Sequence, residues 1–175
     1  IGRFPSMLGD ADASAQYARD CSRLLVHLDA MTKPVVAALN GMALGGGFEL
    51  AIRCRAIVAM RDAWMQFPEI TLGILPGIGA MVVPYRRWPG AATVFHGMLR
   101  RADRLKAVRA HELGIVDALA DDPQALVAAA VARVREFAGQ RTRIPDGPVA
   151  LPPFADDAGQ SASGALLDHS PRLHG

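Results

Sequence analysis

The sequence predicts an α/β domain, because short buried strands alternate with helices along most of the chain. Residues 35–39 and 56–60 are apolar runs that contain β-branched side chains, which is the pattern of strands covered on both faces. Between and after them, apolar residues recur at helical spacing. Alternation of the two kinds of element is typical of α/β domains.

The first helix is predicted over residues 10–31, where apolar side chains recur at helical spacing and Asp10 or Asp12 can cap the N-terminus. Lys33-Pro34 ends this pattern, and Asn40-Gly41 turns the chain after the first strand. The remaining predicted elements are a helix at 48–53, strands at 56–60 and 63–67, a loop at 73–79, helices at 79–87, 90–98 and 104–113, a strand at 115–119 and a helix at 124–138.

The later helices carry clear boundary signals. Asp103 is expected to cap the helix at 104–113 and Gly114 to end it, while Pro123 stands at the start of the last helix. The apolar face of the last helix is formed by Leu126, Val127, Ala130, Val131, Val134 and Phe137. Proline, glycine and serine then break any periodicity, so we expect a core at 1–140 and a linker or tail at 141–175.

Composition excludes several classes of protein. With 175 residues, 51% of them hydrophobic and 21% charged, and a net charge of +2, the chain reads as one soluble globular domain. The basic residues are scattered, so we do not expect nucleic acid as a partner. No apolar run reaches membrane-spanning length, so we expect no membrane partner either. Cys21 and Cys54 lack CxxC spacing, which favours a reducing, cytoplasmic location. The histidines lack metal-ligand spacing, so no metal is expected.

Residues 40–53 join a buried strand to a helix through three consecutive glycines at 45–47. Glycine lets the backbone approach a ligand closely, and the first N–H groups of a helix have no partner within it. Such a turn can stabilise an oxyanion, with Glu49 beside the same cavity. A P-loop is excluded because no GK[ST] follows, and Leu50 stands where GxGxxG requires glycine. The simpler interpretation is a tight turn with Glu49 exposed and paired with Arg53.

Glu69 is the second candidate catalytic residue, because it stands among apolar neighbours: Phe67, Pro68, Ile70 and Leu72. Desolvation disfavours a charged carboxylate, so the pKa of this side chain is expected to be raised, as is common at functional sites. A loop glutamate that points to water is the alternative.

Six segments keep a fixed order and spacing: KPVVAALNG at 33–41, ALGGGFEL at 43–50, FPEI at 67–70, LG at 72–73, PGIG at 76–79 and HELGIVD at 111–117. Together they resemble the enoyl-CoA hydratase/isomerase (crotonase) superfamily over about residues 10–138. The resemblance implies a crotonase-like spiral of ββα units, which we expect to be truncated at both ends in this sequence. It also implies assembly as a homotrimer or hexamer.

The resemblance further implies an acyl-CoA thioester as substrate and no cofactor. The Gly46 N–H would donate to the thioester carbonyl, while a second donor would lie upstream of Ile1. Glu49 and Glu69 match the two glutamates of the hydratases. There, both hold the attacking water, the residue at Glu49 takes its proton, and the residue at Glu69 delivers a proton to the α-carbon.

The leading hypothesis is a lyase that adds water to a 2-enoyl-CoA. Substrate contacts are expected at Met42, Leu44, Gly45, Pro68, Leu72, Pro76 and Gly77. Arg55 stands where the family often has an acid, and Ala80-Met81 where it usually has Gly-Thr. These differences leave the identity of the acyl group open. An isomerase or hydrolase of a cyclic or unusual acyl-CoA is an alternative. An inactive oligomerisation module is a second, although an idle buried carboxylate only costs stability.

Overall fold

The computed structural model of the protein describes residues 9–140 and 144–149. Its helices are α1 (Ala11–Ala30), α2 (Gly46–Ala51), α3 (Val83–Arg87), α4 (Ala92–Arg101), α5 (Ala107–Glu112) and α6 (Pro123–Glu136). Its strands are β1 (Val36–Leu39), β2 (Met42–Leu44), β3 (Ala56–Met60), β4 (Trp64–Gln66), β5 (Leu105–Lys106) and β6 (Ala118–Ala120). Short 3-10 helices cover Glu69–Leu72 and Pro89–Ala91.

The first four strands alternate between two small sheets, β5 stays in the second sheet and β6 returns to the first. One sheet is parallel and has the order β1-β3-β6; in the other, β2 pairs in parallel with β4, and β4 pairs antiparallel with β5. Val36 is in register with Ala56, and Met42 with Trp64, so each pair of strands lies beside the previous pair. Because α2 follows β2, the segment β1-β2-α2 is a ββα unit. The predicted crotonase-like ββα architecture is confirmed.

The central strand β3 is buried on both faces, as its continuous apolar run predicts. Ile57 and Ala59 belong to the main core, which also contains the fully buried rings of Phe48 and Phe67. Val58 points to the opposite face, where it packs in a smaller cluster with Leu126 of α6. The main core therefore supports the Gly-rich turn and α2 from beneath.

Several helix boundaries follow the predicted signals. The Asp10 side chain caps α1 by accepting a hydrogen bond from the Ala13 N–H at 2.9 Å, and Pro123 is the first residue of α6. Gly114, with a φ of +70°, follows the end of α5. These boundary predictions are confirmed.

Other local structure differs from the prediction. No element was predicted at residues 42–44, which form β2 because they pair with β4. Leu105 and Lys106 pair with β4 as β5, so α5 begins only at Ala107, and its N-cap residue is Lys106 instead of Asp103. The last strand begins at Ala118, since the preceding residues complete the turn after α5.

The apolar face of α6 is used only in part. Leu126 is buried against β3, whereas Val127, Val131 and Val134 are exposed. The exposed valines recur at i, i+4 and i+7 and form a stripe beside the one that contacts the sheet. Neighbouring stripes of one helix cannot both face so narrow a sheet.

The predicted tail is described only at 144–149. There, Ile144 and Val149 pack against the main core, and Arg86 Nη2 donates to the Gly147 carbonyl at 3.0 Å. Residues 141–143 and 150–175 lie outside the described part of the chain, so the boundary at 140 stays a prediction. Within the described residues, no helix has the length and apolar character needed to cross a bilayer.

Candidate active site

The Gly-rich turn places Glu49 at the start of α2, facing the interior. β2 ends at Leu44, and Gly45 adopts φ +47° and ψ −124°, a backbone conformation that only glycine reaches easily. The Glu49 N–H then donates to the Gly45 carbonyl at 2.9 Å, which closes the first helical turn. Next to it, Phe48 anchors the helix, with its ring centroid 5.1 Å from that of Phe67.

Glu49 is only 2% exposed, and its carboxylate is held by main-chain donors. Oε1 accepts hydrogen bonds from the N–H groups of Ile78 and Ala80, each at 3.0 Å. Arg53, the suggested surface partner, instead bonds to Asp29 and to the Ile78 carbonyl. The interpretation of Glu49 as an exposed residue paired with Arg53 is therefore wrong.

Parallel pairing of β2 with β4 brings Glu69 to the same turn. The Gly45 N–H donates to the Gln66 carbonyl at 3.0 Å, which continues the pairing past the end of β2. Glu69 begins the 3-10 helix three residues later and is 9% exposed. A Cβ on Gly45 would lie 2.5 Å from Glu69 Oε1, so the carboxylate occupies the space that the missing side chain leaves.

Burial raises the pKa of Glu69, as the sequence predicted. The nearby charge of Glu49 adds to the rise, while a hydrogen bond from the backbone of Glu69 itself opposes it. Oε2 of Glu69 is buried without a hydrogen-bond partner among the described residues. A buried oxygen of this kind can take a proton, a water molecule or a polar atom of a ligand.

Gly46 lies three residues before Glu49 and is the first residue of α2, so its N–H has no partner within the helix. It is exposed, and a Cβ there would meet Ile78 Cδ1 at 3.6 Å. The backbone of the turn is thus open on the side where Ile78 ends. The Gly46 N–H thus starts α2 directly after Gly45, the residue that Glu69 packs against.

The residues predicted to contact substrate divide by burial. Met42, Leu44 and Leu72 present exposed apolar side chains. Gly45 and Pro76 are buried, Pro68 is half-buried and Gly77 is exposed. The β2–β4 pairing places Gly45 against Glu69, and Pro68 directly precedes Glu69 in the chain.

A cavity of about 580 Å³ lies behind the loop at 77–79. Its lining includes Asp29, Arg53, Gly77 and Arg86, but among the described residues neither Glu49 nor Glu69 contributes to it. Gly77 is thus one of the residues that line this cavity. The described part of the chain holds no group of three or more His, Cys, Asp or Glu side chains placed to bind a metal ion.

Sequence reasoning missed the groups that hold Glu49. The donors on Ile78 and Ala80 are main-chain N–H groups, which every residue but proline carries, so no side-chain pattern reveals them. The hydrogen bond between Asp29 and Arg53 joins residues 24 positions apart. The sequence shows that both residues are charged but does not predict that they pair.

Comparison with known proteins places this geometry in context. The sequence profile described as "Enoyl-CoA hydratase/isomerase" matches residues 4–144. A probable enoyl-CoA hydratase from Bacillus subtilis (strain 168) is 34% identical over 139 residues, which cover 79% of this chain and 52% of that protein. A crotonyl-CoA hydratase from Syntrophomonas wolfei subsp. wolfei is 43% identical over 91 residues, 51% of this chain and 34% of that protein.

Solved structures agree. The crystal structure of an enoyl-CoA hydratase from Polaromonas sp. JS666 superposes with a TM-score of 0.69 at 27% identity, covering 78% of this chain and 52% of that one. The chain thus spans about half, or less, of the length of these three relatives.

Proposed function

Since the chain belongs to the enoyl-CoA hydratase/isomerase family, we propose that it provides the acid/base centre of a hydratase that adds water to a 2-enoyl-CoA thioester. The observation that carries this proposal is the pair of buried carboxylates, Glu49 and Glu69, at the Gly45 turn. Addition of water across a double bond needs a base at one carbon and an acid at the next. Two neighbouring carboxylates in different surroundings can divide these tasks.

In the proposed step, the oxygen of a water molecule bonds to the β-carbon of the enoyl group while Glu49 accepts the proton of that water. The α-carbon takes its proton from Glu69, so one water is consumed and the carbon–carbon double bond becomes single. The raised pKa of Glu69 supports its role as the acid, because it favours the protonated form. The orientation of Glu49, fixed by two N–H donors, supports its role as the base.

The Gly46 N–H is proposed to donate to the thioester oxygen as negative charge develops there. Its position at the start of α2 supports this role, since that N–H has no partner within the helix. We propose that the exposed apolar side chains of Met42, Leu44 and Leu72 contact the acyl part of the substrate. Coenzyme A enters as part of the substrate, and no cofactor is needed for this step.

Assembly as a homotrimer or hexamer is also proposed. Exposed apolar side chains of the kind seen at Ile70, Ile74 and Leu75 are typical of surfaces that become covered. Sedimentation velocity on the protein from its complete reading frame would give the number of subunits, and a monomer at micromolar concentration would contradict this proposal.

The test of the function uses the protein from its complete reading frame. Crotonyl-CoA and longer or cyclic enoyl-CoAs are supplied, and loss of the enoyl-thioester absorbance is followed. Glu49→Gln and Glu69→Gln should each lower kcat by a factor of about 100 to 10,000, the range for a positioned acid or base. The double variant should be little slower than either single one, because both carboxylates are proposed to hold the same attacking water and so act as a unit.

Glu136→Gln is the matched control, because this glutamate is exposed on α6 and pairs only with Arg133 among the described contacts. It should leave kcat unchanged. If no enoyl-CoA is hydrated but double-bond migration or thioester hydrolysis is observed, the isomerase or hydrolase alternative replaces the hydratase. Near-normal hydration by Glu69→Gln would remove Glu69 from the mechanism.

A further inference from the structure

Arg53 lies just beyond α2, and its side chain is turned into the protein, with only 12% exposed. Its Nη1 donates to Asp29 Oδ2 at 2.6 Å, which ties the end of α1 to the segment after α2. Its Nε and Nη2 donate to the Ile78 carbonyl at 3.4 and 3.3 Å. One guanidinium therefore bonds a carboxylate and a loop carbonyl at once.

The loop is shaped to receive this guanidinium. Gly79 has φ +145°, and a Cβ there would lie 3.1 Å from Arg53 Nη2 and 3.2 Å from Nε. Such contacts are tighter than almost all that a real Cβ makes, so a side chain at 79 would push the guanidinium away. Glycine at this position lets Arg53 lie flat against the loop.

Ile78 links Arg53 to Glu49. Its carbonyl accepts from Arg53, and its N–H donates to Glu49 Oε1 at 3.0 Å. Glu49 and Arg53 are four residues apart in the chain. Between them they bond both main-chain polar groups of Ile78: Glu49 accepts from its N–H, and Arg53 donates to its carbonyl. Any shift of Ile78 would change the donor geometry at the Glu49 carboxylate.

We propose that the Asp29–Arg53 pair is a positioning device that fixes the Ile78 backbone and, through it, the orientation of the Glu49 carboxylate. This inference rests on the proposed function, in which Glu49 is the base. Asp29 orients the guanidinium, and the guanidinium holds the loop carbonyl. Arg53 and Asp29 are positioning residues, because they act through Ile78 rather than on the substrate.

The device explains why two charges are buried here. A pair between partly buried Arg and Asp gains little stability, because desolvation offsets the attraction. Burial indeed raises the pKa of Asp29, although the charge of Arg53 opposes that rise. The planar guanidinium of Arg53 donates to the carboxylate and to the carbonyl in a fixed geometry, which the single ammonium group of a lysine could not do.

The test combines Arg53→Met with Glu49→Gln in the protein from its complete reading frame. Arg53→Met should lower kcat about 10- to 100-fold, the scale for a misplacement near 1 Å, with KM changed less than twofold. Arg53→Lys should recover only part of the loss. In the Glu49→Gln background, Arg53→Met should change kcat by less than twofold, because the group it positions is already gone.

Arg61→Met is the matched control, since Arg61 forms an exposed pair with Asp121 and should leave kcat unchanged. If Arg53→Met does not fold, Asp29→Asn replaces it in the same cycle with the same expectations, because it keeps the shape of the side chain. Equal losses from the Arg53 change in both backgrounds would overturn the inference while the proposed function stands. Full activity of Glu49→Gln alone would overturn the proposed function itself.

Discussion

Gly45→Ala tests the contact between the Gly-rich turn and Glu69. The new Cβ would lie 2.5 Å from Glu69 Oε1, and ordinary contact begins at 3.4 Å, so the oxygen must move by about 0.9 Å. A misplacement of about 1 Å can reduce turnover on the order of 100-fold. In addition, alanine at φ +47° should lower the free energy of unfolding by about 1–3 kcal/mol.

Steady-state hydration of an enoyl-CoA and chemical denaturation would measure the two effects separately. Gly41→Ala is the control, because Gly41 lies four residues upstream and a Cβ there meets nothing within 4 Å. It should leave kcat within twofold and stability nearly unchanged. If Gly45→Ala also kept kcat within twofold, Glu69 would be either mobile or unnecessary, and the reasoning from its packing would be refuted.

Two further predictions concern protonation. Burial raises the pKa of Glu69 above its ordinary value of 4.5. Between 4.5 and the raised pKa, the folded protein keeps a proton that the unfolded chain releases, so stability falls as pH rises through that range. Glu69→Gln should therefore be at least as stable as the wild type at pH 7, and its advantage in thermal unfolding should shrink as pH approaches 4.5; an advantage that grows on acidification would contradict this. Burial also raises the pKa of the Cys54 thiol to about 11, so at pH 8 only about one thiol in a thousand is ionised. Iodoacetamide should modify the less buried Cys21 at least tenfold faster than Cys54 in the native protein, and at a similar rate in denaturant; equal native rates would show that Cys54 is accessible.

The sequence predicted the elements whose local pattern and tertiary role agree. The run at 56–60 became the central strand β3, and the spacing at 10–31 became α1, because burial there follows the residue period. β2 was missed since its three residues include one buried side chain, Ala43, which is too short a pattern to recognise. β5 was hidden in a helical pattern because its pairing with β4 is set by a strand 40 residues away.

The candidate site was predictable only in its side chains. The glycines and the two glutamates stand out in the sequence. The structure places Glu69 against Gly45, a contact that their spacing in the sequence does not predict. That distance depends on β2–β4 register, a long-range property. The surroundings of Glu49 depend on main-chain N–H groups at 78 and 80, and these carry no sequence signature.

Because the loop backbone holds Glu49, the position of its carboxylate does not depend on which side chains the loop carries. Ile78 and Ala80 hold the carboxylate through N–H groups, so their side chains can be exchanged without removing either donor. Ala80 and Met81 already differ from the Gly-Thr usual in the family. The size and polarity of the loop side chains can thus vary while the loop backbone, and with it the orientation of Glu49, is kept. Proline is the exception at 78 and 80, because it has no N–H to donate.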